Sequence, residues 1–193
     1  MSSYKIVVIG VNQVGRTSIL DRWIGRQFRE VIDFDPALDD DDYFKLQVVD
    51  GKTINLSVTD YRWDESLDLY QTPYLEQLMR SANGFIFVYD VTSRGSFEIV
   101  QEFHHEALAV KDDDHVPIVL VANKCDLEDK RVVRKEEGQD CAQQWLGSYI
   151  ETSAKTNQNI DECFCQIVRE IECANNSNVP SVQNNNHYHC IMM

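Results

Sequence analysis

KIVVIGVNQVGRT, residues 5–17, consists of an apolar run followed by a loop. The loop has a glycine at each end, and an arginine and a threonine follow the second glycine. Residues 5–9 are mostly β-branched, which predicts a strand buried on both faces, as in a parallel sheet. Residues 10–17 have the spacing G-x-x-x-x-G-K-[ST] of the phosphate-binding loop, whose backbone N–H groups surround a phosphate. Arg16 stands at the lysine position, although a planar guanidinium is a different ligand from a compact ammonium. The octapeptide alone fits equally well a glycine turn between any buried strand and helix.

Composition indicates one domain followed by a tail. The chain has 193 residues, 43% of them hydrophobic, and we place the domain at residues 1–174 and a flexible linker at 175–189. Its net charge of −14 predicts repulsion from nucleic acid and from anionic membranes. The six cysteines form no C-x-x-C pair and the N-terminus has no apolar leader, so we expect a reduced, cytosolic protein.

Buried strands alternate with helical patterns along the chain, which predicts a doubly wound α/β sheet. Asp50 and Gly51 fit a two-residue hairpin turn, so the strands on either side should pair antiparallel. Residues 28–42 show no period and predict a long exposed loop, and His104 with His105 is predicted on a solvated helix face. The predicted strands are 5–9, 43–49, 53–59, 84–90, 117–122 and 148–151, and the predicted helices are 16–24, 74–80, 93–111, 134–146 and one through 160–171.

Two short motifs follow the last two predicted strands. Asn123-Lys124-Cys125-Asp126 lies at the edge where open α/β sheets bind ligands, and a carboxylate there can accept hydrogen bonds from guanine that adenine cannot donate. Glu151-Thr152-Ser153-Ala154-Lys155 closes the last strand at the same edge. The order of these motifs after a phosphate loop makes coincidence a poor explanation.

With these motifs the sequence resembles a Ras-family small GTPase over residues 4–173 and in its last four residues. The resemblance implies a P-loop NTPase-like doubly wound sheet of six strands, one antiparallel, with five helices, and GTP, GDP and Mg²⁺ as ligands. Mg²⁺ would be bound by Thr17 and, through water, by Asp60. The nucleotide would contact Gly10, Val11, Asn12, Gln13, Val14, Gly15, Arg16, Thr17, Ser18, Phe28, Asp60, Asn123, Lys124, Asp126, Ser153, Ala154 and Lys155.

The phosphate side departs from the family pattern. Asn12 and Gln13 replace two glycines, Ala37 replaces a threonine that would bind Mg²⁺, and Trp63 and Asp64 replace a glycine and a water-orienting glutamine. We therefore predict slow hydrolysis, with no secure catalytic residue and Arg16 as the one candidate. The effector loop implied by the resemblance comprises Phe34, Asp35, Pro36, Ala37, Leu38, Asp39, Asp40, Asp41, Asp42 and Tyr43.

Cys190-Ile-Met-Met193 fits the C-a-a-X motif in its farnesyl form. The preceding linker has no Lys or Arg and no second cysteine, so one lipid should give weak, reversible attachment to the cytoplasmic face of a membrane, with a cytosolic pool.

The leading interpretation is a monomeric, prenylated guanine-nucleotide switch that does not bind nucleic acid and whose effectors and exchange factors the sequence does not identify. The alternative is a pseudo-GTPase, a binding module or scaffold that is nucleotide-free or locked in one state. An ATP-using P-loop enzyme is disfavoured by Asp126. Fold alone does not decide between these functions.

Overall fold

One mixed sheet of six strands organises the computed structural model, which describes residues 1–28, 41–61, 63, 73–113 and 115–177. The strand order is β2-β3-β1-β4-β5-β6, and only the β2–β3 pair is antiparallel within these residues. This confirms the predicted fold class. The strands are β1 Ser3–Ile9, β2 Asp41–Val49, β3 Lys52–Asp60, β4 Gly84–Asp90, β5 Ile118–Asn123 and β6 Ser148–Glu151.

Within the described residues four α-helices lie between strands, a fifth follows the last strand, and a short 3-10 turn spans Glu128–Lys130. Most ends differ from the predicted ones by one or two residues, as fraying helix termini lead one to expect. The last helix reaches Ser177, three residues beyond the boundary placed at 174. The helices are α1 Arg16–Trp23, α2 Pro73–Ser81, α3 Arg94–Lys111, α4 Lys135–Gln144 and α5 Ile160–Ser177.

The hairpin between β2 and β3 forms as predicted. Asp50 and Gly51 both have left-handed backbone angles, with φ of +48° and +79°, which a tight turn between twisted strands requires. The strand β2 begins earlier than expected, because Asp41 and Asp42 pair with Asp60 and Thr59. Asp41 and Asp42 therefore belong to a strand, and the prediction that placed them in a loop is wrong.

The core lies on both faces of the sheet. On one face Trp23 of α1 stacks on Phe164 of α5 with ring centroids 4.1 Å apart. On the other face α2, α3 and α4 cover Phe85 and Phe87. Every residue of β4 and β5 is buried, as expected for central parallel strands with helices above and below.

His104 departs from its predicted position on a solvated helix face. It is only 4% exposed and stacks on Trp145, with ring centroids 4.1 Å apart. Burial, and secondly the charge of His105, lower the pKa of His104 to about 4. The prediction for His104 is wrong because α4 and its C-terminal tryptophan cover that part of α3, whereas His105 is exposed as predicted.

Among the described helices, none combines the length and the apolar character needed to cross a bilayer. The effector-loop residues before Asp41, the residues Arg62 and Asp64, and the predicted linker and lipidation motif from residue 178 onward lie outside the described residues.

Candidate nucleotide site

The predicted phosphate loop connects β1 to α1, and its two glycines are required by their surroundings. A Cβ on Gly10 would lie 2.3 Å from the carbonyl oxygen of Val88 on the neighbouring strand. Gly15 has a φ of +95°, and a Cβ there would lie 2.4 Å from Nδ2 of Asn123. The loop therefore packs too closely against β4 and the N-K-C-D motif for any larger residue.

Arg16 is the first residue of α1, and its guanidinium is directed into the protein. The side chain is 7% exposed, and its Nε donates a hydrogen bond to Oδ1 of Asp60 over 2.9 Å. Its Nη1 donates to the carbonyl oxygens of Gly10 and, over 3.0 Å, of Val11. The cation predicted to hold phosphate thus forms a buried ion pair with the residue predicted to reach Mg²⁺.

Asp60 ends β3 and is fully buried beside Thr17. The hydroxyl of Thr17 donates to Oδ2 of Asp60 over 2.6 Å, so each carboxylate oxygen accepts a hydrogen bond from the protein. The structure therefore brings together the two side chains predicted at the metal.

These two residues supply oxygen ligands, the type that Mg²⁺ prefers. However, the charge of the Asp60 carboxylate is already balanced by Arg16, so Asp60 as arranged offers a divalent cation little net charge.

Asn123 connects the two sides of the site. It is 1% exposed at the end of β5, and its Nδ2 donates to the carbonyl oxygen of Val14 in the phosphate loop over 2.7 Å. Its Oδ1 accepts from the hydroxyl of Thr152 over 3.1 Å. These bonds connect the N-K-C-D motif, the phosphate loop and the segment that follows β6.

Lys124 and Asp126 are held on either side of Cys125. Lys124 has a φ of +64° and pairs with Asp90 over 2.7 Å. One oxygen of Asp126 accepts from the hydroxyl of Ser153 over 2.6 Å, which orients an otherwise exposed carboxylate. Burial raises the pKa of the Cys125 thiol, so this thiol stays protonated at neutral pH.

Arg22 is a site residue that the sequence analysis missed. From α1 its Nε donates to the carbonyl oxygen of Ala154 over 2.9 Å, and its Nη2 donates to that of Lys155 over 3.1 Å. Its guanidinium carbon also lies 5.9 Å from the ring centroid of Phe28, within cation–π range. The sequence shows a basic residue two turns into the predicted helix. It does not show which carbonyl oxygens Arg22 contacts, because they lie 132 and 133 residues away along the chain.

Trp63 packs against both parts of the hydrophobic core, one on each face of the sheet. Its ring meets Phe103 of α3 edge to face, with centroids 5.8 Å apart. The indole N–H has no hydrogen-bond partner in the part of the chain that the structure describes. A large side chain thus fills space beside α3 at the position where the family resemblance implies a glycine.

Comparison with known proteins identifies the family of this chain. Residues 5–173 match the model of the Ras family. The chain is 40% identical over 171 residues to the Ras-like protein rasB of Dictyostelium discoideum, covering 89% of this chain and 83% of that protein. The protein belongs to the Ras family of small GTPases. Proteins of this family bind guanine nucleotides, in general together with Mg²⁺.

Proposed function

We propose that this Ras-family protein binds GDP and GTP selectively and hydrolyses GTP slowly. The observation that carries the proposal is a contrast between the two sides of the site. The residues that the family resemblance assigns to guanine are all present in the sequence, and Asn123 bonds to the phosphate loop, whereas on the phosphate side Arg16 is bound to Asp60.

Base selectivity rests on Asp126. An aspartate carboxylate can accept hydrogen bonds from both N1–H and the exocyclic amino group of guanine, and the hydroxyl of Ser153 orients it for this contact. Asn123 fixes the motif to the phosphate loop, so base and phosphate would be held at a set separation.

Slow hydrolysis follows from the position of Arg16. In the mechanism of phosphoryl transfer, water attacks the γ-phosphate in line, and catalysis is mostly positioning and charge stabilisation. A guanidinium that donates to Asp60, Gly10 and Val11 has fewer donors left for the phosphate oxygens. The sequence adds two further deficits, since Ala37 has no hydroxyl and Asp64 would repel phosphate.

Nucleotide identity tests the binding proposal. The protein is purified and denatured, and the released nucleotide is identified; we expect GDP or GTP. The variant Asp126→Asn should shift preference from guanine toward xanthine nucleotides, with the exposed substitution Asp129→Asn as control. Equal competition by ATP and GTP for the wild-type site would contradict guanine selectivity.

The rate is tested by single-turnover GTP hydrolysis, measured beside the Ras-like relative from Dictyostelium discoideum. Removal of one preorganised electrostatic group typically costs about 10²–10³ in rate, so we expect hydrolysis about 10²-fold slower than in the relative. Arg16→Lys should recover part of this difference. A wild-type rate equal to that of the relative would refute slow hydrolysis, and absence of any bound nucleotide would favour the pseudo-GTPase alternative.

Membrane attachment is a separate part of the proposal. Cys190-Ile-Met-Met193 supports farnesylation of Cys190, and the uncharged segment before it supports a weak attachment with a cytosolic pool. In fractionated cells, Cys190→Ser should lose the membrane-associated fraction. Cys173→Ser, which changes an exposed cysteine on α5, is the matched control. Identical partitioning of wild type and Cys190→Ser would refute the anchor.

A further inference from the structure

The guanidinium of Arg16 is paired with Asp60, a residue that the family resemblance implies reaches a divalent cation. Both side chains are buried, with exposed fractions of 7% and 0%. The pair is made by a direct hydrogen bond of 2.9 Å from Nε of Arg16 to Oδ1 of Asp60.

A bound Mg²⁺ in this site would lack the favourable charge that a carboxylate supplies. Asp60 faces Arg16 through Oδ1 and the Thr17 hydroxyl through Oδ2. Arg16 already pairs with this carboxylate, so the attraction that an unpaired aspartate would offer an incoming cation is offset by the guanidinium beside it. The positive charge of Arg16 therefore opposes binding of a divalent cation at Asp60.

The same guanidinium can still donate to phosphate, because Nε and Nη1 make the hydrogen bonds to Asp60 and to the loop carbonyls, and Nη2 makes none of them. It lies inside the loop formed by residues 10–15, bonded to the carbonyl oxygens of Gly10 and Val11. An arginine fork matches phosphate geometry, and its charge is present without any ion from solution. The guanine-reading side is held through Asn123 and Val14, independently of Arg16.

We propose that Arg16 takes over the charge-balancing part of the divalent cation, so that this protein holds guanine nucleotide with little dependence on Mg²⁺. The proposal rests on the guanine-nucleotide binding proposed above. In this proposal Arg16 supplies positive charge that Mg²⁺ would otherwise bring, which the phosphate-loop motif by itself does not indicate.

The test measures dissociation of a fluorescent GDP from the full-length protein, in Mg²⁺ and after chelation by EDTA. Coupling between two ligands typically changes affinity about 5–150-fold, and we expect chelation to change the wild-type rate by less than about threefold. Arg16→Lys, which frees Asp60, should show acceleration by about tenfold or more. Arg169→Lys makes the same exchange on α5, where Arg169 pairs with Asp50 at the far hairpin, and should behave as wild type.

A second measurement uses the wild-type protein alone, so it does not depend on the folding of a variant. Mn²⁺ is titrated into the GDP complex and free Mn²⁺ is counted by electron paramagnetic resonance; we expect less than one tightly bound Mn²⁺ per nucleotide. Stoichiometric tight Mn²⁺, or equal EDTA acceleration in wild type and Arg16→Lys, overturns the proposal while leaving guanine binding intact. Failure of GDP to bind in Mg²⁺ overturns the proposed function, and this inference with it.

Discussion

Replacing Asp60 by alanine should strongly destabilise the protein, because it leaves the guanidinium of Arg16 buried without a counter-ion. The pair is 7% and 0% exposed, and the carboxylate also accepts the hydrogen bond from Thr17. Breaking a buried ion pair by removing one partner costs about 3–5 kcal/mol. That is a large part of the total free energy of unfolding of a typical domain, about 5–15 kcal/mol.

The assay is urea unfolding of protein stripped of nucleotide, because a bound ligand would add its own stabilisation. We expect the midpoint of Asp60→Ala to fall with an unchanged m-value. The control is Asp50→Asn, which removes the charge that pairs with Arg169 in an exposed pair, keeps a residue that tolerates the left-handed turn, and should have a much smaller effect.

Removing both charges separates the ion pair from the packing. The double variant Arg16→Met with Asp60→Leu should recover much of the stability lost in Asp60→Ala, since apolar replacement of a whole buried pair is often neutral. The reasoning is refuted if Asp60→Ala destabilises no more than Asp50→Asn.

Two further predictions concern His104 and Gly15. The pKa of His104 is about 4 in the folded protein, against 6.5 for the ordinary group, so the unfolded chain takes up this proton at a higher pH than the folded protein does. The contribution of neutral His104 to the free energy of unfolding is therefore fully present above pH 6.5. About 2–3 kcal/mol of it is lost as the pH falls to about 4. Urea unfolding across this range should show a shallower pH dependence in His104→Phe, which keeps the stack on Trp145 and cannot titrate, and parallel profiles would contradict the assignment. Gly15→Ala should weaken GDP binding and lower the melting temperature, because its Cβ would lie 2.4 Å from Nδ2 of Asn123 and its φ is +95°. Gly95→Ala, which has open space around it, should do neither. Unchanged GDP affinity in Gly15→Ala would show that the loop can shift.

The sequence alone was sufficient for the architecture. Buried strands and amphipathic helices have local periodicities, and hairpin and phosphate-loop residues mark the turns, so the six strands and five helices could be read along the chain. The carboxyl ends of parallel strands meet at one edge, which is why the phosphate loop and the N-K-C-D motif could be placed together before any coordinates.

The contacts within the site could not be read in this way. Arg16 and Asp60 are 44 residues apart, and Arg22 is 132 residues from its partner Ala154. The spacing of hydrophobic residues indicates which face of a helix or strand is apolar. It does not indicate which distant charge or carbonyl group lies opposite a given side chain. His104 was misjudged for the same reason, since its burial depends on Trp145 at the end of another helix.

The sequence thus determined the family and the sheet and predicted the guanine-reading residues, because those depend on short motifs and on strand order. Only the tertiary structure decided that the arginine of the phosphate loop pairs with the aspartate expected at the metal. That pairing depends on β3 ending beside the first turn of α1, and it is set by packing across the sheet.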